Sequence, residues 1–321
     1  MKLNITKLTM MLIMVTTTIM VMSSNNMLFT WMSMEINLIS FMPIMTKSKK
    51  MKDQPMKYFI IQSAASSLMI MTVMLYSIIE NPLDESIMMM TSLIMKMGLM
   101  PFHLWLPSTM QGLTWENCFI ISTLQKISPV IFTSQTISMN TMKTPMIMSL
   151  IMSPISAIKQ LSLKKIMAYS SISNTPWMIM SIKMSKFMFM MFMTIYSITT
   201  MMLMKKMKKM NILFYNQMKP SSTKSKMMIT STMLSMSGMP PLTGFFPKWM
   251  MLQNMASSSM MLSISMIMSS MLSTFIYLKM SVNMMTTMST TKSMNKENQM
   301  KENDLTFNML GLPLMMILKT N

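Results

Sequence analysis

Blocks of about 20 mostly apolar residues recur along the whole chain, separated by short polar segments. An α-helix needs about 20 such residues to cross the hydrocarbon core of a bilayer. The pattern therefore predicts an all-α fold, a polytopic bundle of about eleven transmembrane helices that forms a single membrane domain over residues 1–321. The predicted spans are 3–22, 27–46, 56–79, 86–106, 116–138, 144–158, 164–182, 187–204, 226–252, 256–279 and 305–319.

Three of these spans have unusual lengths. The spans at 144–158 and 305–319 are short for a full crossing, which a small tilt or a locally thinner bilayer accommodates. The span at 226–252 is long and contains Pro240 and Pro241. Because proline removes a backbone hydrogen bond and clashes with the preceding turn, we expect one broken helix there.

Basic residues are distributed unequally between the two predicted sides. With eleven spans, 21 of the 28 basic residues, all lysines, fall on the side of the N-terminus, and four fall on the other side. The second side carries the acidic stretch ENPLDES, residues 80–86. Lysine-rich loops stay on the inner side of a membrane, so the N-terminus is predicted inside.

The composition agrees with a membrane protein and excludes several other classes. Only 12% of the residues are charged, against about 25% in soluble domains. The net charge of +19 comes from lysines in short loops, not from a continuous basic arm, so no nucleic-acid partner is expected. One cysteine, Cys118, allows no internal disulfide, and the sequence has no nucleotide-binding glycine motif. No cofactor or metal is expected in this chain.

Methionine is unusually abundant, with 64 residues spread over every predicted helix. A copper path would use thioethers, but no cysteine or histidine cluster accompanies them. Flexible apolar filling of helix surfaces explains them better. A genetic code that reads ATA as methionine, as in many animal mitochondria, would produce this composition. The chain is therefore expected to be mitochondrially encoded, which agrees with the absence of an Arg-rich transit peptide.

Four ionisable residues lie inside predicted spans: Glu35, Lys96, Lys126 and Lys248. A charge at mid-membrane costs at least about 2.5–3.5 kcal/mol, so each is a candidate functional residue. Any one of them also has a structural interpretation, as a partner for another charge or as a lysine that extends from a helix end to the interface. Four on separate helices favour a polar axis through the bundle.

Helix-breaking residues accompany the three lysines. The candidate breaks are at Pro101, Pro129, Pro240 and Pro241. Broken helices beside ionisable residues are typical of mid-membrane ion sites in transporters. His103, the only histidine, is a possible proton relay, although capping or anchoring of the break accounts for it equally well.

Several motifs occur in a characteristic order. They are MEINLISFMP (34–43), KMGLMPFHLWLP (96–107), QKISP (125–129), LSLKKIMAYSSIS (161–173) and GMPPLTGFFPKW (238–249). Together they resemble the chain 2 family of mitochondrial NADH–ubiquinone oxidoreductase, respiratory complex I. The resemblance covers nearly the whole chain and thins after about residue 280.

This resemblance implies an antiporter-like subunit with discontinuous helices and a central proton axis, in a form that lacks the first three helices of its bacterial counterparts. It implies that Glu35 pairs with Lys96, that Lys126 continues the axis, and that Lys248 leads to the exit half-channel. The chain departs from the family pattern at Lys159, Asn174 and Pro176. These departures bear on the loop and helix around them and not on the proton axis.

The expected function is that of a proton-translocating membrane-arm subunit of NADH:ubiquinone oxidoreductase in the mitochondrial inner membrane. NAD, FMN, iron–sulfur clusters and ubiquinone are expected in other subunits. The expected partners are further membrane-arm subunits, including antiporter-like chains, accessory subunits, and phospholipids such as cardiolipin. The alternatives are a free-standing cation/proton antiporter of the same ancestry and a purely structural membrane scaffold.

Overall fold

The computed structural model describes residues 5–46, 53–76, 82–217, 223–256 and 259–286, and these residues form a bundle of α-helices without a strand. The helices are α1 Ile5–Ser23, α2 Met27–Met45, α3 Asp53–Tyr76, α4 Pro82–Met97, α5 Trp105–Gly112, α6 Trp115–Ser122, α7 Leu124–Thr136, α8 Met139–Ile158, α9 Leu163–Met184, α10 Lys186–Lys209, α11 Thr223–Ser237, α12 Phe245–Met255 and α13 Met260–Thr286. A short 3₁₀ turn, Tyr215–Gln217, follows α10. The all-α fold class is confirmed.

Five of the described helices are long and apolar enough to cross a membrane, with mean hydropathies of 1.2 to 1.8. They are α1, α2, α3, α10 and α13, over Ile5–Ser23, Met27–Met45, Asp53–Leu75, Lys186–Lys209 and Met260–Met284. The other predicted spans within the described residues are broken into shorter helices or are rich in serine, threonine and proline. The span predicted at 305–319 lies outside the described residues.

The abundant hydroxyl side chains are satisfied within their own helices. Ser92 donates to the Met89 carbonyl at 2.7 Å, and Thr232 donates to the Ile229 carbonyl at 2.9 Å, one turn back in each case. The same pattern recurs along most helices. Because a polar group without a partner is costly in lipid, this local bonding makes serine-rich helices compatible with a bilayer.

Three predicted spans are pairs of helices separated by a break. In the first, α4 ends at Met97 and α5 begins at Trp105, so the helix expected at 86–106 is interrupted and continues to Gly112. In the second, α6 and α7 meet at Thr123. In the third, α11 ends at Ser237 and α12 begins at Phe245.

The break expected at Pro129 is wrong. Pro129 lies inside α7, in its second turn, and the helix is interrupted six residues earlier at Thr123. There the Lys126 N–H donates to the Thr123 carbonyl at 3.1 Å, a tight three-residue turn that restarts the helix. Proline removes one intrahelical hydrogen bond, here with the Gln125 carbonyl, and α7 nevertheless continues through Pro129 to Thr136.

The start of α8 also differs from the prediction. The helix begins at Met139, after an extended Ser138, five residues before the predicted start at 144. The first turns contain Asn140, Thr141 and Lys143, whose polarity conceals the start of the helix in a hydropathy pattern. With these turns, α8 has 20 residues and is no longer short for a crossing.

The outer and inner helices differ in what they bury. Outer helices expose large apolar side chains, such as Ile19, Ile39, Ile60 and Met268, each more than half exposed. The central helix α9 is buried at every residue from Ser171 to Ser181 and packs against α5, α7, α8, α10, α12 and α13. An outer surface that is apolar and a core that contains polar side chains are typical of a membrane bundle.

Contacts between loops identify the two ends of the bundle. At one end, Lys7 and Lys208 both bond Glu116, and the Leu163 N–H donates to the Leu213 carbonyl at 3.0 Å. These contacts join the N-terminus and three segments that the eleven-span topology places on the same side. At the other end, the Gln135 side chain donates to the Ser24 carbonyl, and the Lys183 ammonium donates to the Ser134 and Ile137 carbonyls.

Candidate proton-transfer site

Glu35 and Lys96 form an ion pair between α2 and α4. The Lys96 Nζ atom donates to Glu35 Oε1 at 3.3 Å. The Lys96 side chain is 5% exposed and the Glu35 side chain 23% exposed. The structure therefore brings together these two predicted residues, which are 61 positions apart in the chain.

The break after α4 is closed by a glycine with a positive φ. Gly98, with φ 69°, donates its N–H to the Met95 carbonyl, and Leu99 donates to the Ile94 carbonyl. This is the Schellman ending of a helix, in which glycine adopts the left-handed conformation at low cost. Pro101 lies within the break that follows.

Two side chains satisfy carbonyl groups at the end of α4. Gln62 from α3 donates to the Lys96 carbonyl at 3.2 Å, and Trp105 from α5 donates to the Met95 carbonyl at 3.1 Å. In the membrane interior such carbonyls need a protein or water partner. These two bonds supply such protein partners at the end of α4.

Lys96 and Lys126 line the same cavity, whose volume is about 20 Å³. Its wall includes Tyr58, Gln62 and Gln125, together with apolar side chains from α2 and α5. Polar side chains on several sides give water molecules the partners that they need in a buried space. The cavity can therefore hold about one water molecule between the side chains that line it.

A hydrogen-bonded network borders this cavity. Gln125 donates to Asn37 Oδ1 at 2.9 Å and accepts from the Tyr58 hydroxyl at 3.3 Å. The Asn37 Nδ2 atom is buried and has no hydrogen-bond partner among the described protein atoms. An amide in this state is a natural site for an ordered water.

Lys126 is held by the central helix α9. Its Nζ atom donates to the Ser171 carbonyl at 2.8 Å and contacts the Ser171 hydroxyl at 3.2 Å, and the residue is 3% exposed. The Ser171 hydroxyl itself donates to the Ala168 carbonyl at 2.8 Å, which leaves its lone pairs free to accept from lysine. No carboxylate is among these partners of Lys126.

Lys248 binds the end of the broken helix α11. Its Nζ atom donates to the Ser237 carbonyl at 2.9 Å and lies 3.4 Å from the Met236 carbonyl. Carbonyl groups at the C-terminus of a helix carry partial negative charge, which favours a cation. The ammonium also lies 5.6 Å from the ring centroid of Trp177, at the distance of a cation–π contact.

The ending of α11 repeats that of α4. Gly238, with φ 84°, donates to the Leu234 and Ser235 carbonyls, and Met239 donates to the Leu234 carbonyl. A Cβ atom on Gly238 would lie 2.9 Å from Lys248 Cδ. Pro240 and Pro241 follow within the break.

The central helix links the second and third lysines. Ser171 binds Lys126, and Trp177 contacts Lys248. These two residues of α9 are six positions apart, which corresponds to about 9 Å along a helix. Glu35, Lys96, Lys126 and Lys248 therefore form a series across the bundle, with a shared cavity on one side of α9 and the broken helices α11 and α12 on the other.

His103 does not take part in this series. It lies in the break between α4 and α5, where its Nδ1 atom is 3.2 Å from the Pro101 carbonyl and its ring is 6.3 Å from that of Tyr169. It is absent from the wall of the cavity that Lys96 and Lys126 share. These contacts are compatible with an anchor for the break, and the relay stays a prediction.

Some side chains of the site are not evident from the sequence: Asn37, Tyr58, Gln62, Ser171 and Trp177. Neutral polar residues are too common in this chain to stand out individually. Among the neutral polar residues of the site, only Gln125 could have been found from the sequence, because it directly precedes the candidate residue Lys126. Within the described residues, no group of three or more His, Cys, Asp or Glu side chains is placed to bind a metal.

Known proteins share this chain's sequence and fold. The family model for the transmembrane region of NADH:quinone oxidoreductase and Mrp antiporter subunits matches residues 24–276. NADH-ubiquinone oxidoreductase chain 2 of Locusta migratoria is 36% identical over 74% of this chain and 73% of its own length. The chain 2 protein of Bos taurus is 31% identical over 94% of this chain and 92% of its own length.

Solved structures show the same fold at low sequence identity. A chain of respiratory complex I from Thermus thermophilus superimposes with a TM-score of 0.82 at 16% identity, over 98% of this chain and 80% of that chain. A chain of the Mrp complex from Dietzia sp. superimposes with a TM-score of 0.73 at 12% identity, over 86% and 60%. Buried lysines at broken helices, the family match and these sequence relatives agree, and the chain belongs to the NADH–ubiquinone oxidoreductase chain 2 family of antiporter-like membrane subunits.

Proposed function

We propose that this chain is a proton-translocating subunit in the membrane arm of NADH:ubiquinone oxidoreductase, and that protons cross it through Glu35, Lys96, Lys126 and Lys248. The observation that carries the proposal is the cavity that Lys96, paired with Glu35, shares with Lys126, which is bonded to the neutral groups of Ser171. Relatives named as chain 2 of this oxidoreductase support the assignment to that complex.

The ion pair between Glu35 and Lys96 is the natural control point. Its carboxylate favours the charged form of Lys96, because an opposite charge offsets part of the cost of burial. When the pair separates, Lys96 loses this stabilisation and can release its proton into the shared cavity. A change of a few ångströms between α2 and α4 therefore changes the proton affinity of Lys96.

Lys126 and Lys248 provide the following steps. Lys126 is bonded to neutral groups of Ser171, so no fixed counter-charge holds a proton on it. Lys248 is bonded to the carbonyls that end α11, next to the break that contains Pro240 and Pro241. A proton that reaches Lys126 repels one on Lys248, and the break provides backbone groups that bind water on the way out.

We further propose that the chain lies in the mitochondrial inner membrane, is mitochondrially encoded, and has its N-terminus in the matrix. NAD, FMN, iron–sulfur clusters and ubiquinone would then be bound by other subunits. Partners would include other antiporter-like chains, accessory subunits and phospholipids such as cardiolipin. Animal chain 2 relatives and the apolar outer surface of the bundle support this location.

Reconstitution of the intact complex tests the function. Vesicles that contain the complex should become acidic inside when NADH is oxidised by ubiquinone. Replacement of Lys126 by alanine should lower the number of protons moved per NADH, whereas the same replacement at exposed Lys159 should leave it unchanged. Equal proton yields from the two variants would exclude Lys126 from the path.

Purification distinguishes the proposed subunit from a free-standing antiporter. A subunit should copurify with NADH-oxidising proteins, and the masses in the purified material should reveal them. An antiporter should be isolated alone and should exchange sodium or potassium for protons without NADH. That second result would replace the proposed function with its alternative.

A further inference from the structure

A groove outside the proton site opens between α1, α6 and α10. Its volume is about 370 Å³. Its rim carries Lys7, Lys205, Lys208 and Glu116. These residues lie at the end of the bundle where the first turn of α1, the first turn of α6 and the last turns of α10 meet.

The rim has a net positive charge. The Lys7 Nζ atom donates to Glu116 Oε2 at 2.8 Å, and Lys208 bonds the other oxygen of the same carboxylate. Lys205 is exposed on the same rim. Three ammonium groups and one carboxylate leave two positive charges, and all four side chains remain accessible.

The wall of the groove becomes apolar at a constant depth. Four residues further into the bundle on each helix, the lining consists of Met11, Ile120, Met201 and Met204. Residues four apart lie on the same face of a helix, and the separation corresponds to about 6 Å along its axis. Each rim charge therefore stands directly above one apolar side chain.

We propose that this groove binds an anionic phospholipid, with its phosphate at the lysine rim and an acyl chain along the apolar wall. Cationic groups at the interface attract anionic lipid headgroups. A free anion would contact only the lysine rim and would leave the apolar wall uncovered. A transmembrane helix of another subunit would cover the wall, but it would not require an excess of positive charge at the rim. The proposal deepens the lipid part of the proposed function, and it requires a membrane location but not the proton path.

Photolabelling of the assembled complex tests the site. The probe is a phosphatidylglycerol with a diazirine on one acyl chain, and the comparison lipid is phosphatidylcholine with the same chains. After illumination, digestion and mass spectrometry locate the label. We expect phosphatidylglycerol to label peptides that contain Phe119, Met201 or Met204 about fivefold more than phosphatidylcholine does.

Two substitutions should change the labelling in opposite directions. Lys205→Gln should lower it about fivefold, and Glu116→Gln should raise it, because the first removes a positive charge and the second removes the competing carboxylate. Lys209→Gln is the matched control, since Lys209 is exposed in the same last turn of α10 but does not line the groove. It should change the labelling little.

Three results would overturn the proposal: equal labelling by the two lipids, equal effects of the Lys205 and Lys209 substitutions, or labelling that inorganic phosphate abolishes. Cross-links from the groove to another subunit in place of lipid would show that protein covers it. NADH-driven proton transport is measured on the same samples. If phosphatidylglycerol shows no preferential labelling while proton transport is normal, the lipid site alone is refuted. If the preferential labelling is present while proton transport is absent, the proton path alone is refuted.

Discussion

At the scale of single residues, the site depends on how each buried charge is compensated. Lys96 has a carboxylate, Lys126 has a serine, and Lys248 has two carbonyls and an indole ring. A buried cation that loses its partner is destabilised, whereas a neutral residue of similar shape is not. Substitutions at these residues therefore separate the effect of charge from the effect of packing.

The first prediction concerns the pair of Glu35 and Lys96. Glu35→Gln should lower the proton yield per NADH severalfold, because it removes the carboxylate that stabilises the charged lysine. Lys96→Met should do the same and leave Glu35 unpaired. Proton uptake by vesicles that contain the assembled complex is the measurement. Asp53→Asn, a change to an exposed acid in the first turn of α3, is the control.

Normal proton yields in both variants would show that the pair is only structural. A double variant, Glu35→Gln with Lys96→Met, adds a second criterion. If the two residues act together, its loss should be no larger than that of either single variant.

The second prediction separates a proton carrier from a fixed charge at Lys126. Lys126→Arg should fail to transport protons, because arginine remains protonated at all accessible pH values. Lys126→Ala should also fail but should assemble normally, since alanine is compatible with a helix and removes a buried charge. Proton yield and the amount of assembled complex are both measured. Transport by the arginine variant at the normal rate would identify Lys126 as a fixed charge.

At the scale of helices, the broken spans place the lysines. Helices α4 and α11 end in the same backbone conformation. In each, a glycine with positive φ and the residue after it donate their N–H groups to carbonyls of the last helical turns. In both cases a lysine is adjacent: Lys96 one residue before the end of α4, and Lys248 across the end of α11. Glycine at these two positions is therefore required by the geometry of the site.

The third prediction concerns Gly238. Gly238→Ala should cost about 1–2 kcal/mol, because a side chain disfavours the left-handed conformation. It should also reduce transport, since the added Cβ atom would lie 2.9 Å from Lys248 Cδ and displace that side chain. Thermal stability of the assembled complex and its proton yield are the measurements.

Gly112→Ala is the matched control for this change. Gly112 ends α5 and is not among the glycines with positive φ. Alanine there should leave stability the same or slightly higher, because it favours helix. If both alanine variants behave alike, the conformation of Gly238 does not position Lys248.

The sequence predicts the charges of this site better than the helix breaks around them. Hydrophobic blocks identify the spans, and an ionisable residue within such a block is unmistakable. The break at Thr123 escaped prediction because threonine has no strong signal, whereas Pro129 has one and is tolerated within α7. Ser171 and Trp177 escaped because their importance arises only when α9 packs between Lys126 and Lys248.

At the scale of the whole molecule, one end of the bundle is strongly basic. The last turns of α10 carry Lys205, Lys206, Lys208 and Lys209, and Lys7 and Lys208 meet Glu116 at the same end. Among the described residues, the opposite end carries Lys143, Lys183 and Lys186, and Lys183 is bonded to backbone carbonyls. This asymmetry sets the orientation expected in a membrane.

The fourth prediction is that the segment 204–226 faces the matrix. In mitochondria stripped of the outer membrane, an impermeant lysine reagent should not modify exposed Lys208 or Lys209. The same reagent should modify them once the inner membrane is opened. Mass spectrometry of the digested chain locates the modified lysines, and modification before opening would reverse the proposed topology.

The separation of Ser171 and Trp177 along α9 has a consequence for leakage. The two residues are separated by about 9 Å of helix rise, whereas a hydrogen bond spans about 3 Å, so the α9 groups that contact Lys126 and Lys248 are not bonded directly to each other. In the proposed proton path, water would have to fill the interval between Lys126 and Lys248 for each transfer. While the interval is dry it acts as an insulator against the membrane potential, which drives each proton back with about 2.3 kcal/mol per 100 mV. Entry and loss of water in this interval would then control whether protons leak back across the membrane.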